Sequence, residues 1–452
     1  MIRWAVWDPG GYVSAIIQAF KDADLRKKIL FTIAMIVLYR IGAQIPSPGV
    51  DYASISGRLR DLTQDQSSVY SLINLFSGGA LLQLSIFAIG IMPFITASII
   101  VQLLTVVIPH FEQLKKEGQS GQTKMTQYTR YLTLALALLQ SAGIVALADR
   151  EQLLGAGIRV LNEDRTFFDL LILVVTMTAG AILVMWLGEL ITEKGVGNGM
   201  SLLIFAGIAT RLPTDGMNIL GNSGGVVFAV VLASVLVLVI GVVFVEQGQR
   251  RIPVQYAKRM VGRRQYGGSS TYLPLKVNQA GVIPVIFASS LIYMPVLITQ
   301  IVNSGSLEVT DNWWQRNVIA HLQTPSSWQY IVLYFALTIF FSYFYVSVQY
   351  DPADQAENMK KYGGFIPGIR PGRPTAQYLG YVMNRLLFVG SLYLALIAVL
   401  PNIMLDLGVD AGSAGATPFG GTAILILVSV ALTTVKQIES QLLQSNYEGL
   451  LK

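Results

Sequence analysis

Ten stretches of this chain run for 13 to 25 residues with almost no charge, and that pattern removes most of fold space. They are Ile29–Ile45, Leu84–Ile108, Tyr131–Ala148, Phe168–Ile191, Met200–Leu212, Val226–Val245, Gly281–Val302, Trp328–Val348, Tyr381–Leu400 and Thr422–Val435. A helix needs about 20 apolar residues to cross a hydrocarbon core of about 30 Å, whereas barrel strands alternate polarity, which these runs do not. With 53% hydrophobic and 13% charged residues, the chain reads as an all-α polytopic membrane protein of ten transmembrane helices. The fifth run is the short one and covers only about 20 Å at 1.5 Å per residue. It is expected to extend through its glycine-rich flank or to lie in a thinned, protein-lined region.

With both termini cytoplasmic, the cytoplasmic segments hold 24 of the 32 Lys and Arg residues and the outer ones 8. The excess of positive charge on that side sets the orientation. Five spans per half then place the halves, residues 29–223 and 224–452, in opposite orientations. A phrase near the start of the second span of each half repeats. Gly90-Ile-Met-Pro-Phe-Ile-Thr-Ala-Ser returns as Gly281-Val-Ile-Pro-Val-Ile-Phe-Ala-Ser, with five identities in nine positions. Pro93 and Pro284 each remove a backbone donor and are expected to loosen their helix locally.

Residues 1–28 carry eight charged side chains and lack the apolar core of a cleavable leader, so the first span is expected to direct insertion. Val13, Ile16, Ile17 and Phe20 repeat at helical spacing; a surface-lying amphipathic helix and an ordinary solvated terminus both fit. The chain has no Cys and only two His, which disfavours metal clusters and Ser/His/Asp chemistry. No phosphate-binding loop occurs, so neither catalysis nor a cofactor is expected, and energy for any pumping must come from a partner or a gradient.

Leu72–Leu82 is apolar, holds Ser77-Gly78-Gly79, and spans only about 16 Å as a helix. It is too short to cross; a re-entrant element and an outer interfacial helix both fit. Ile91 and Ile95 stand four apart, as do Met200 and Ile204, so two apolar helix faces are able to converge, and Ile286 matches Ile95 in the repeat. Small residues, among them Ser289 and Ser290, permit close helix approach there. Gln102 and Asn278 offer polar groups for a weak interhelical seam, about 0.6 kcal/mol per hydrogen bond. Most membrane isoleucines simply face lipid or neighbouring helices, and the same residues fit that role.

Two long cytoplasmic loops, 246–280 and 349–380, are basic. Arg250, Arg251, Lys258, Arg259, Arg263 and Arg264 place six cations in nineteen residues, a surface for an anionic partner. Lys360, Lys361, Arg370 and Arg373 surround Phe365-Ile-Pro-Gly-Ile-Arg-Pro-Gly, whose Pro-Gly pairs present Arg370 on a tight turn. These charges also serve topology alone. A secondary transporter with inverted repeats is the competing class, but its coupling needs intramembrane ionisable groups. Glu189 and Arg40 lie near span ends, and neither makes a midplane site.

Taken in order, these segments resemble the SecY family, the central channel subunits of the bacterial Sec protein translocase. The resemblance runs from about Leu25 to Leu451. It rests on Arg40-Ile-Gly and Ile45-Pro-Ser-Pro-Gly, Asn74-Leu-Phe-Ser-Gly-Gly-Ala, Gly90-Ile-Met-Pro, Lys115-Lys-Glu-Gly, Gln127-Tyr-Thr-Arg-Tyr, Trp186-Leu-Gly-Glu, Gly197-Asn-Gly, the basic loop from Glu246, Leu273-Pro-Leu-Lys-Val-Asn, Gly281-Val-Ile-Pro, the Phe365 turn and Gly420-Gly-Thr. It implies two five-helix halves closing like a clamshell on an hourglass pore. It implies a plug at Leu72–Leu82, centred on Asn74, Leu75, Phe76, Ser77, Gly78, Gly79 and Ala80. A ring of Ile91, Ile95, Met200, Ile204, Ile286 and Ile426 would form the constriction. The second and seventh spans would be a lateral gate, with Pro93, Gln102, Asn278, Pro284, Ser289 and Ser290. The basic loops would dock a SecA motor ATPase or the ribosome. Small companions similar to SecE and SecG, unfolded preproteins with signal sequences, and membrane lipid are the implied partners. The implied location is the bacterial cytoplasmic membrane.

Overall fold

A computed structural model describes residues 3–4, 20–50, 77–81, 83–149, 161, 166–256, 259–261, 264–266, 270–302, 313–323, 327–406 and 421–450. Helix α1 (Ala23–Gln44) starts six residues before the first apolar run, because the Asp22 carboxylate accepts from the Asp24 N–H and caps the helix. It stops at Ile45, where the following Pro46 disfavours helical backbone. Helix α2 (Met92–Val107) ends at Ile108 for the same reason, before Pro109, and α3 (Pro109–Lys116) leaves it at 99°.

The second span begins later than its apolar run. Residues 83–91 turn rather than wind: Leu84 has φ 42°, Pro46 bridges Ser85, and Gly90 has φ 61°. Apolar content does not separate a buried irregular segment from a helix, and non-helical backbone is tolerated at membrane depth where protein covers it. Here Gly180 of α5 (Phe167–Lys194) supplies the cover; a Cβ there would stand 1.9 Å from the Ile86 carbonyl oxygen.

The repeated phrase has one local structure in both places. Gly281 has φ 64°, matching Gly90, and α7 (Ile283–Val302) begins two residues after it, as α2 does after Gly90. Pro93 and Pro284 are therefore second residues of their helices. An N–H at that position has no intrahelical acceptor, so its loss loosens nothing, and the expected local softening gives way to a firm helix start.

Helices α4 (Gln119–Asp149) and α5 complete the third and fourth spans. Helix α6 (Gly199–Gln247) comprises the fifth and sixth, separated by Gly224 at φ 80°, ψ 167°. The fifth span is thus longer than its apolar run, since the helix passes through Pro213 and continues to that break. Strands β1 (Arg3–Trp4), β2 (Gly248–Tyr256), β3 (Arg259–Val261), β4 (Arg264–Tyr266) and β5 (Ser270–Lys276) precede α7. A one-turn π-helix and α8 (Ala320–Gln323) lead to α9 (Trp328–Gln349), then α10 (Pro352–Lys361), β6 (Gly364–Phe365), α11 (Arg373–Asp406) and α12 (Gly421–Leu450).

Six described helices are long and apolar enough to cross a membrane, seven with the bent α2–α3 pair, while Gly199–Thr214 and Ile283–Ile292 are shorter apolar helices. Together with α1 they supply the ten-helix order read from the apolar runs. Helices α9 and α11 pack together and α7 packs on α9; in the other half α2 packs on α4 and α4 on α5. Across the halves, α7 meets α2 and α4, and α12 meets α6.

Candidate functional site

Where the halves meet, one apolar cluster gathers residues from six helices, α1, α2, α5, α6, α7 and α12. Ile91, Ile204, Ile286 and Ile426 are buried in it, and Ile95 and Met200 pack against it. Ile91 caps the start of α2 and its carbonyl accepts from the Ile95 N–H at 3.1 Å, which puts both on one face. Met200 and Ile204 come from the first turns of α6, Ile286 from the first turn of α7 and Ile426 from α12. Five of the six, Ile426 apart, lie at helix starts where glycines turn the chain, Gly90, Gly281 and Gly197 (φ 88°), and α6 packs closely there at Gly199, where a Cβ would stand 2.0 Å from the Gly188 carbonyl oxygen.

Ser77–Leu81 lies beside this cluster as a chain of turns. Ser77, Ala80 and Leu81 are buried; Gly78 has φ 66° and Gly79 φ 93°. The Tyr39 hydroxyl donates to the Ser77 carbonyl at 3.5 Å and Arg40 Nη1 to the Gly78 carbonyl at 3.2 Å. A Cβ on Gly78 would stand 2.8 Å from Arg40 Nη1 and 2.9 Å from the Gly207 Cα of α6. Arg40, which the sequence placed near an outer span end, is thus tied to this turn. Asn74, Leu75, Phe76 and Leu82 lie outside the described residues.

On α7, which meets α2, Ser289 and Ser290 are buried, and Ser289 Oγ donates to the Ile286 carbonyl at 2.9 Å. The hydrogen bonds of Gln102 and Asn278 run elsewhere than toward each other. Gln102 Nε2 reaches Ser98 Oγ on its own helix at 3.5 Å, and Asn278 Nδ2 reaches Glu246 Oε2 at 3.0 Å.

The two basic loops form one object. β2 pairs antiparallel with β5 from Gln249↔Lys276 to Gln255↔Ser270, with β1 at Arg3↔Gln249, and with β6 at Gln255↔Phe365 and Tyr256↔Gly364. Arg251, Lys360, Lys361, Arg370 and Arg373 are exposed and Arg250 half-buried. Arg259 and Arg264 sit on the small β3–β4 hairpin, whereas Lys258 and Arg263 lie outside the described residues. At the Arg370 turn, Gly368 (φ 82°) and Gly372 (φ 101°) each follow a proline, and the Thr375 hydroxyl donates to the Arg370 carbonyl at 2.9 Å. A Pro then a left-handed Gly is what a tight type II turn requires, and it leaves the Arg370 side chain outside.

Three contacts were not legible in the motifs. Arg130 grips Glu189 with two bonds, 2.9 Å from Nε and 2.8 Å from Nη2, tying α4 to α5. The Lys115 ammonium donates to the Val348 carbonyl, joining α3 to the last turn of α9 in the other half. On the exposed α3, the hydrogen bond from Lys116 and then its charge hold the Glu112 carboxyl below its usual range.

Fold and site together define a class: a polytopic helical membrane protein whose two halves meet at an apolar cluster, with a basic sheet joining its two long basic loops. The chain belongs to the SecY family, whose family model matches residues 85–435. It is 94% identical over 440 residues to the protein translocase subunit SecY of Corynebacterium glutamicum, covering 97% of this chain and all of that one. The subunit of the same name from Mycobacterium bovis is 62% identical over 441 residues, again 97% of this chain and all of the relative. Among solved structures, a SecY channel studied for its plug domain shares the fold with a TM-score of 0.63 at 21% identity, covering 91% of each chain. The Sec61 channel of a canine ribosome-channel complex does so with 0.57 at 18%, also covering 91% of each.

Proposed function

We infer that the chain is the pore subunit of a bacterial protein translocase. It passes unfolded secretory polypeptides across the cytoplasmic membrane and releases apolar spans sideways into lipid. The observation that carries this reading is the single apolar cluster joining Ile91, Ile95, Met200, Ile204, Ile286 and Ile426 between the two halves, with the Ser77–Leu81 turn beside it.

An apolar ring has no sequence preference, so it fits around many extended chains while its dry walls obstruct hydrated ions. The segment from Asn74 to Ala80 plugs the resting pore on the outer side, held by Tyr39 and Arg40. Helices α2 and α7 part as the lateral gate, lined by Pro93, Gln102, Asn278, Pro284, Ser289 and Ser290. A signal sequence or a membrane span leaves through that gate, favoured by about 25 cal/mol per Å² of apolar surface removed from water.

The sheet of β2, β5 and β6 and the Arg370 turn dock a motor ATPase of the SecA kind or the ribosome. Small subunits resembling SecE and SecG complete the complex, with both termini of this chain in the cytoplasm. The test is reconstitution in vesicles with these subunits and the motor, where an added precursor becomes protected from external protease as ATP is consumed. Small-solute counterflow without precursor movement would overturn the reading in favour of a secondary transporter.

A further inference from the structure

Glu246 opens the first basic loop in the sequence, yet the structure buries it at the end of α6, 6% exposed. Its two carboxylate oxygens each take a hydrogen bond from a different element. Oε2 accepts from Asn278 Nδ2 at 3.0 Å and Oε1 from Ser429 Oγ at 3.1 Å. Asn278 is 3% exposed and Ser429 6% exposed, so the whole triad is removed from solvent. A buried carboxylate is costly unless such donors surround it, and charge-assisted bonds of this kind are the stronger ones.

The triad sits where the base of the β2–β5 ribbon, the start of α7 and α12 join. Two residues after Glu246, β2 begins, and the Gly248 carbonyl accepts from the Val277 N–H at 2.9 Å, closing the base of the β2–β5 ribbon. Asn278 Nδ2 also lies 3.3 Å from the carbonyl of Gly281, the left-handed residue that starts α7. Ser429 stands three residues after Ile426, hence on nearly the same face of α12 as a member of the apolar cluster. Helix α11 presses the base from behind, since a Cβ on Gly390 would stand 2.4 Å from the Val277 carbonyl oxygen.

We propose that Glu246 is a positioning residue for gating: its carboxylate locks the base of the docking ribbon to the start of α7 and to α12, so that load on the ribbon moves gate and ring together. This rests on the docking role of the ribbon proposed above. The ribbon, paired along seven residue positions, acts as a stiff lever, and without the carboxylate its base would shift without carrying α7 along.

The experiment is motor-driven translocation by the reconstituted complex, with rate measured against motor concentration at equal membrane abundance. Glu246→Ala, which removes both charge-assisted hydrogen bonds, is expected to lower kcat by about tenfold or more, with the motor's KM unchanged. Glu246→Gln is expected to restore most of the rate. Its carbonyl oxygen accepts from Asn278, and its amide donates to the Ser429 hydroxyl, which is able to rotate and accept. Glu246→Asp, one methylene short, is expected to stay low. Ser429→Ala, nearly isosteric, is expected to fold and to lose a few-fold in kcat, which separates the effect from misfolding.

A wild-type rate in both Glu246→Ala and Ser429→Ala would overturn the proposal, as would a raised KM with kcat intact, or an equal loss in Gln and Ala. Arg250→Glu with Arg251→Glu checks docking separately by raising the motor's KM. If that rise is absent, the docking reading falls and the lever with it; if it is present while Glu246→Ala keeps its kcat, the joint alone falls.

Discussion

Replacing Gly78 by alanine is expected to undock the turn beside the ring and make the resting channel leak ions. Gly78 adopts φ 66°, a left-handed conformation that costs an L-residue about 1–2 kcal/mol. The new Cβ would also stand 2.9 Å from the Gly207 Cα and 3.1 Å from its carbonyl oxygen, backbone atoms of α6 that have no rotamer to escape into. Forcing a methyl into a packed site costs a further 1–3 kcal/mol or so. Even the lower ends, together about 2 kcal/mol, raise the undocked fraction about thirtyfold at about 1.4 kcal/mol per factor of ten. The assay is conductance of the purified complex in planar bilayers without precursor or motor. Gly79→Ala is the control: its φ of 93° carries a conformational cost, but nothing lies within 4 Å of the added methyl. A Gly78→Ala channel as tight as wild type, or a Gly79→Ala channel that leaks as much, would refute the argument from contact with α6.

Ile286→Ser puts a hydroxyl into the apolar cluster and is expected to wet the constriction, giving a higher resting conductance in the same bilayers with normal membrane abundance. Arg370→Glu, on an exposed turn, is expected to change stability by no more than about 0.5 kcal/mol while cutting motor-driven translocation several-fold, measured by precursor protection at equal abundance. Arg130→Ala removes the bidentate grip on Glu189, but with side chains 44% and 20% exposed the pair contributes roughly 0–1 kcal/mol after screening. Thermal unfolding of the detergent-purified protein is therefore expected to stay close to wild type.

The spans were legible because the membrane imposes one simple length rule on any apolar helix, and the repeated glycine phrase was legible because both copies do the same local work. Helix starts were not. Leu84–Ile91 is as apolar as the helix after it, and only its bridge to Pro46 and its fit against Gly180 show that it turns instead of winding. The prolines of the repeat misled for a related reason: whether proline softens or starts a helix depends on where the helix begins, which a glycine two or three residues earlier decided. The sheet joining the two basic loops was also hidden, since Gln255 and Phe365 are far apart in the chain and their pairing is backbone to backbone, leaving no side-chain signature.

From its apolar run lengths and its ordered motifs, the sequence by itself determined a ten-helix membrane protein and its family resemblance. These are one-dimensional quantities, set by transfer free energies that act on each segment separately. Only the tertiary structure decided which isoleucines meet, that Arg40 reaches Gly78, and that Glu246 is a buried joint rather than the first charge of a solvated loop. Each of those outcomes depends on groups brought from distant segments into hydrogen-bond or van der Waals range, and such short-range energies exist only once the helices have packed.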